Sequence, residues 1–337
     1  MTIQAKPKRG FVLGKFMPPH KGHVFLCEFA RQYCERLTIL VASLPDEPIP
    51  GELRFKWMKE LFPDCDVRWT NEVLPQEPRG EDDLEFWATW KRVVTDTMAG
   101  NEIWDPVEPY DVVFASEPYG MRLAAEVGAR FVPCDMKRQA RFTSGTKVRG
   151  NPREEWDYLP DVVKPYFVKR VCLFGPESTG KSTLAELLGH RFSTVVVPEY
   201  GRTYTEVFGP DVTADDLKNI VAGHMASVAA AKRQSNWVLI EDTDPVMTAV
   251  WSDMLLGKRD PWFDEFKDHA DLYLLCDVDI PWEDDGTRYF KNDEDRKRFF
   301  ETCKAELAAR DVPYVVISGD RRQRYDTAVR AIEERLG

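Results

Sequence analysis

The stretch GPESTGKS, residues 175–182, constrains the fold more than any other part of the chain. It fits G-x-x-x-x-G-K-[ST] in full, follows the apolar run RVCLF and opens the helical stretch STLAELLGHRF. A strand, a glycine-rich loop and a helix N-terminus in that order make a phosphate-binding P-loop, and they require a parallel sheet with the helix packed on it. The backbone from Gly175 to Gly180 is expected to cradle phosphates, with Glu177, Ser178 and Thr179 in the loop itself. Lys181 should reach the β- and γ-phosphates of ATP, Ser182 should hold Mg²⁺, and Thr183 should stand beside it.

The rest of the second half agrees with that requirement. Strands are expected at 168–174, 194–197, 237–240, 271–277 and 313–318, with a last helix from about Asp320 to Leu336. A kinase must activate a hydroxyl, and carboxylates at strand ends are the candidates. VVVPEYGR supplies Glu199, and WVLIEDTDP supplies Glu241, Asp242 and Asp244. Glu199 suits a base and Asp242 or Asp244 suits a place beside Mg²⁺, with Asp242 taken as the metal ligand. The assignment among Glu199, Asp242 and Asp244 stays open. The charged segment 283–299 is either a lid that brings Arg288 onto the transferring phosphoryl group or a solvated loop.

A first α/β series precedes this one. Apolar runs at 11–14, 37–43, 111–116 and 129–133 read as buried parallel strands, and 21–35 and 83–98 carry helical periodicity. The proline- and charge-rich stretch from 151 to 167 reads as a connector, so two domains are expected, 1–155 and 156–337. The first series opens on GFVLGKFMPPHKGH, in which a strand ends at Gly14 and a helix starts near Lys21. The positive end of a helix faces an anion there, and His20 and His23 stand within its reach. Lys15 adds a cation and Phe16 lies in the same loop. A second phrase, FTSGTKVRG, puts Ser144 and Thr146 at a helix start and Arg149 one turn along. A zinc pair is the competing reading of the histidines, but no HExxH is present.

Composition sets limits on partners. A net charge of −11 over 337 residues argues against a nonspecific nucleic-acid or anionic-membrane surface, yet leaves room for small phosphorylated ligands in a local basic pocket. None of the seven cysteines forms CxxC, which fits thiols in a reducing cytoplasm rather than a disulfide framework. No apolar run approaches the ~18 residues of a membrane span. The basic start MTIQAKPKRG lacks the apolar stretch of a signal peptide.

His20-Lys21-Gly22-His23 and Ser144-Gly145-Thr146-Lys147-Val148-Arg149 together resemble the (H/T)xGH and SxTxxR motifs of the Rossmann-like nucleotidyltransferases. By that resemblance the pair binds ATP phosphates and the domain transfers an adenylyl group. With SEPYG at 116–120, the P-loop, PEYGR, DTD and DDGTR, nearly the whole chain is similar to the bifunctional nicotinamide mononucleotide adenylyltransferases and ribosylnicotinamide kinases of bacterial NAD salvage. The resemblance implies an α/β protein, a nucleotidyltransferase domain followed by a P-loop kinase domain, both with parallel sheets. It implies ATP as co-substrate, Mg²⁺ as cofactor, and ribosylnicotinamide, nicotinamide mononucleotide and NAD as ligands. Tyr200 and Asp244 would then contact the kinase substrate. Trp87 and Trp90, three apart on one helical face, would offer an indole to the pyridinium ring, unless they are core aromatics. Only nine residues precede Gly10, so a helix-turn-helix repressor module is not expected. Two alternatives keep the same motifs: another nucleotidyltransferase fused to a different small-molecule kinase, or a nucleotide-sensing regulator. A homo-oligomer is compatible with all three readings.

Overall fold

The structure, a computed structural model, describes residues 6–80, 82–99, 108–140, 143–282, 289–290 and 292–337. It divides into two compact units, 1–163 and 164–337. Trp156, Leu159 and Val163 of the connector are buried and belong with the first unit, so the division falls after Val163 rather than after 155.

The first unit runs β1 (Arg9–Gly14), α1 (Lys21–Tyr33), β2 (Arg36–Ala42), α2 (Gly51–Leu61), β3 (Asp66–Thr70), α3 (Leu84–Asp96), β4 (Val112–Ala115), α4 (Tyr119–Val127), β5 (Arg130–Pro133) and α5 (Gly145–Gly150). All strand pairs are parallel, in the order β3-β2-β1-β4-β5. Alternation sorts the strand residues onto two faces. Val12, Ile39, Val41 and Phe114 pack with Leu26, Cys27 and Ala30 of α1 and Met58 of α2. Phe11, Leu40 and Val113 pack on the other face with Phe86, Trp87, Trp90 and Val94 of α3 and Leu123 of α4. Strand β3 escaped the sequence reading because DVRWT is an edge strand, only partly buried and charged.

The second unit runs β6 (Lys169–Phe174), α6 (Lys181–Phe192), β7 (Val196–Val197), α7 (Tyr200–Phe208), α8 (Ala214–Lys232), β8 (Val238–Asp242), α9 (Pro245–Leu256), α10 (Trp262–Glu265), β9 (Leu272–Cys276), α11 (Asp293–Ala309), β10 (Tyr314–Ile317) and α12 (Arg321–Leu336). Its sheet is also parallel, in the order β10-β9-β6-β8-β7. Cys172, Phe174, Tyr273 and Leu275 meet α9 and α11 through Val246, Val250, Phe299 and Cys303. In both sheets the first strand of the unit is central, and the order in which strands are added reverses beside it. Open α/β sheets bind ligands outside the carboxyl ends of the strands at such a reversal. Among the described residues, no helix is long and apolar enough to cross a membrane.

Candidate functional site

Beyond the carboxyl ends of β1 and β4, the first unit holds a cavity of about 800 Å³. Its walls include every residue that the sequence marked in this half: Gly14, Lys15, Phe16, His20, His23, Trp87, Trp90, Ser144, Thr146 and Arg149. Two distant loops are brought together there. Arg149 donates to the Met17 carbonyl, and a Cβ on Gly145 would come within 2.6 Å of that same oxygen. Glycine is therefore what lets the two motifs touch. Ser144 caps α5, accepting from the Lys147 N–H at 3.3 Å. Phe16 is buried in a left-handed conformation with φ 47°, its ring edge-on to His23.

His20 is the N-cap of α1. Its Nδ1 accepts from the Gly22 N–H at 3.1 Å and the His23 N–H at 3.4 Å. An accepting Nδ1 carries no proton, so the ring hydrogen of the neutral imidazole sits on Nε2. The two rings stack at 3.7 Å between centroids. Burial, then the nearby Arg138 charge, push His20 down to about 4. Burial, His20 and Arg138 likewise drive His23 well below the usual imidazole range against the opposing Pro18 carbonyl. Both are therefore neutral at pH 7, each with one ring N–H to donate.

Arg54 and Glu47, which support the wall from behind, were not marked in the sequence. Arg54 is fully buried on α2; it donates to the Lys15 carbonyl at 2.8 Å and to Glu47 at 2.6 Å. Glu47 also lies 3.6 Å from the Lys15 ammonium, so the loop that carries Lys15 is pinned from behind. The Tyr119 hydroxyl donates to the Leu13 carbonyl at 2.9 Å, and Arg138 pairs with Glu117 at 2.7 Å on the cavity wall. Trp87 and Trp90 are both core and wall: each is under a tenth exposed and lines the cavity, and the Trp90 indole N–H donates to the Pro75 carbonyl at 3.0 Å.

In the second unit the P-loop follows β6. Gly175 has φ 128°, and a Cβ there would meet the Cys276 carbonyl oxygen of neighbouring β9 at 2.7 Å, so only glycine fits. Ser178 and Gly180 also have positive φ, at 57° and 76°. Lys181 opens α6 and its ammonium donates to the Pro176 carbonyl at 2.7 Å, folded back over the loop. Thr179 donates to the same carbonyl at 2.8 Å. The Ser182 hydroxyl donates to Asp242 Oδ2 at 2.6 Å, while the buried Asp242 Oδ1 has no partner among the described residues. Thr183 is exposed on α6.

The structure separates the carboxylates that the sequence grouped. Glu199, at the start of α7, lines a small slot of about 90 Å³ with Arg202, Thr205, Thr243, Trp251 and Tyr289. Burial raises its carboxyl against the opposing Lys181 charge. Glu241 points to the opposite face of β8 from Asp242. It accepts from Arg170, at 3.0 Å for the Nη2 bond, and meets His224 at 3.1 Å. Burial would raise its carboxyl, but those bonds outweigh it and hold it below the usual range.

Three residues that the sequence marked as contacts have other partners in the structure. Asp244, read as a substrate contact, does not line the slot: one oxygen caps α9 through the Met247 N–H at 3.1 Å, and the other accepts from the Tyr273 hydroxyl at 2.6 Å. Tyr200 lays its ring against Gly223 of α8 and is also absent from the slot lining. Glu177, read as a phosphate contact, accepts from the backbone N–H groups of Tyr289, at 3.1 Å, and Phe290, and so tethers that segment to the P-loop. Arg288 lies outside the described residues.

A family model described as an AAA domain matches residues 170–324. Over 356 aligned residues the chain is 30% identical to the trifunctional NAD biosynthesis/regulator protein NadR of Escherichia coli (strain K12), covering 97% of this chain and 83% of that protein. The chain belongs to the NadR family. A crystal structure of NadR protein in complex with NR has the same fold, with a TM-score of 0.78 at 23% identity, over 100% of this chain and 98% of that one. A nicotinamide-nucleotide adenylyltransferase of Pyrobaculum neutrophilum (strain DSM 2338 / JCM 9278 / NBRC 100436 / V24Sta) is 25% identical over 162 residues, which is 45% of this chain and 82% of that protein. This chain has two α/β domains with parallel sheets, the second built on a P-loop.

Proposed function

We propose that this chain is a bifunctional enzyme of NAD salvage. Its second domain phosphorylates ribosylnicotinamide with ATP to nicotinamide mononucleotide. Its first domain joins that product to the adenylyl group of another ATP, giving NAD and pyrophosphate. Membership of the NadR family supports the pair of reactions. The observation that carries the first is the meeting of His20, Gly22 and His23 with Ser144, Gly145, Thr146 and Arg149 in one cavity.

Adenylyl transfer needs no general base here. The nucleophile is a phosphomonoester, largely dianionic at pH 7. It attacks the α-phosphorus of ATP, and the bond to pyrophosphate breaks. What this chain must supply is donors aimed at the growing negative charge. The Nε2–H of His20, the ring of His23, Lys15, Arg149 and the hydroxyls of Ser144 and Thr146 are those donors. A neutral imidazole keeps one ring N–H, which is enough to donate to a phosphate oxygen. Trp87 and Trp90 are the flat faces available to the nicotinamide ring, a contact worth ~1–2 kcal/mol when desolvated.

In phosphoryl transfer the N–H groups of Gly175–Gly180 and the Lys181 ammonium hold the ATP phosphates. The unpartnered Asp242 Oδ1 and the Ser182 hydroxyl beside it are a donor set that fits Mg²⁺. When bound, the ion neutralises charge on the β- and γ-phosphates. Glu199 is our choice of base for the ribose hydroxyl: it lines the slot, and its raised carboxyl binds a proton more readily than an ordinary glutamate. Incubation with ribosylnicotinamide, ATP and Mg²⁺, followed by mass spectrometry, should yield nicotinamide mononucleotide, ADP, pyrophosphate and NAD. ATP binding without any of these products would make the chain a sensor instead.

A further inference from the structure

Each buried carbonyl of the P-loop needs a hydrogen-bond partner of its own. Two of them are met by buried arginines from helices far along the chain. Arg324 of α12, 6% exposed, donates from Nη1 to the Thr179 carbonyl at 3.0 Å. From the same guanidinium, Nη2 donates to the Asp277 carbonyl at 3.0 Å and to the Asp279 carboxylate, and Nε to the Gly319 carbonyl at 2.8 Å. One side chain thus ties together the loops that follow β6, β9 and β10. Arg296 of α11, 3% exposed, donates from Nη2 to the Ser178 carbonyl at 3.4 Å and to the Ile280 carbonyl at 3.1 Å. Its only carboxylate among the described residues is the exposed Asp293 at 3.5 Å, and its buried Nε has no partner there.

The Ser178 carbonyl belongs to the same peptide as the Thr179 N–H, and the Thr179 carbonyl to the same peptide as the Gly180 N–H. A cation bonded to one end of a peptide polarises the donor at its other end. We propose that Arg324, with Arg296, is a positioning residue for phosphoryl transfer: the two guanidinium groups fix the P-loop peptides and strengthen the Thr179 and Gly180 N–H groups as phosphate donors without touching the phosphate. This rests on the reading that the P-loop holds the ATP of the kinase reaction.

Steady-state ribosylnicotinamide phosphorylation by the full chain tests it, with Arg324→Gln, Arg324→Lys, Arg296→Gln and a Lys181→Ala control. Hydrogen bonds to charged groups are worth ~1.5–3 kcal/mol, so Arg324→Gln should raise the KM for ATP roughly tenfold or more. The KM for ribosylnicotinamide and the rate of adenylyl transfer should stay within about twofold, and Arg324→Lys, which keeps the charge, should fall between Gln and wild type. Arg296→Gln should act in the same direction and is the decisive variant if Arg324→Gln does not fold. A folded Arg324→Gln or Arg296→Gln with wild-type KM for ATP overturns the proposal, as does an equal rise in KM for both substrates. Full kinase activity in Lys181→Ala would instead sink the P-loop reading on which it rests.

Discussion

At His20 a single ring serves the helix through one nitrogen and the cavity through the other. Removing the ring removes both, and two substitutions separate them. His20→Ala should slow adenylyl transfer by ~10²-fold or more and lower stability by about 1 kcal/mol through the lost cap. His20→Asn keeps a capping oxygen, so it should lose the rate and retain most of the melting temperature. Acid sensitivity follows from the same residue. Its folded pKa, about 4, lies below the unfolded value of 6.5. The unfolded chain therefore takes up the proton first as pH falls. The contribution to stability is complete above pH 6.5 and is lost between there and about 4. Melting curves at pH 7.5 and 5 should differ less for His20→Asn than for wild type; an unchanged difference would mean the ring is not held neutral. Both histidines were legible in the sequence because their spacing is local. Their neutrality was not, since it depends on burial and on Arg138, over a hundred residues away. The all-or-none burial of Arg54 was equally hidden: nothing in GELRFKWMKEL distinguishes that arginine from its exposed neighbours.

Strand β8 separates scaffold from chemistry by alternation alone. Glu241 and Asp242 are adjacent in sequence and point to opposite faces. The sequence placed both just past a strand at 237–240, whereas they are its last two residues, and it could not say which face carried the phosphate loop. Register decides it: Asp242 meets Ser182, and Glu241 meets Arg170 and His224. Glu241→Gln removes the buried charge that Arg170 and His224 share and leaves Arg170 only the half-exposed Asp268 at 2.8 Å, so it should destabilise the second domain by up to about 3 kcal/mol. Asp242→Asn should leave the domain folded and abolish phosphorylation. Urea unfolding together with the kinase assay checks both, and the assignment fails if the two phenotypes are exchanged. The same logic explains Asp244. A carboxylate two residues beyond a strand, followed by proline, reads equally well as a ligand or as a helix cap. In the structure one oxygen caps α9 through the Met247 N–H and the other accepts from Tyr273, which arrives from a strand that only the folded sheet brings near.

On the scale of the whole molecule, two α/β series were readable because each has its own apolar strands and its own phosphate motif. The edge strand β3 and the dividing point were not, because a charged, half-buried edge and a connector with buried Trp156, Leu159 and Val163 look polar in the chain. Each unit has a core that closes without the other. Lys181→Ala should therefore abolish phosphorylation and spare adenylyl transfer, with His23→Ala doing the reverse. A mixture of the two crippled proteins should regain NAD synthesis from ribosylnicotinamide. If each half-reaction runs but the mixture fails, the intermediate does not leave the protein. The walls of the two sites also give the molecule an optical signature. Trp87 and Trp90 line the first cavity and Trp251 the second slot. A pyridinium ring brought against an indole accepts an excited electron and darkens it. Nicotinamide mononucleotide entering the first site should quench emission that Trp87→Phe and Trp90→Phe remove, and ribosylnicotinamide entering the second should quench emission that Trp251→Phe removes. The same unlabelled chain would then report, site by site, where each ligand resides.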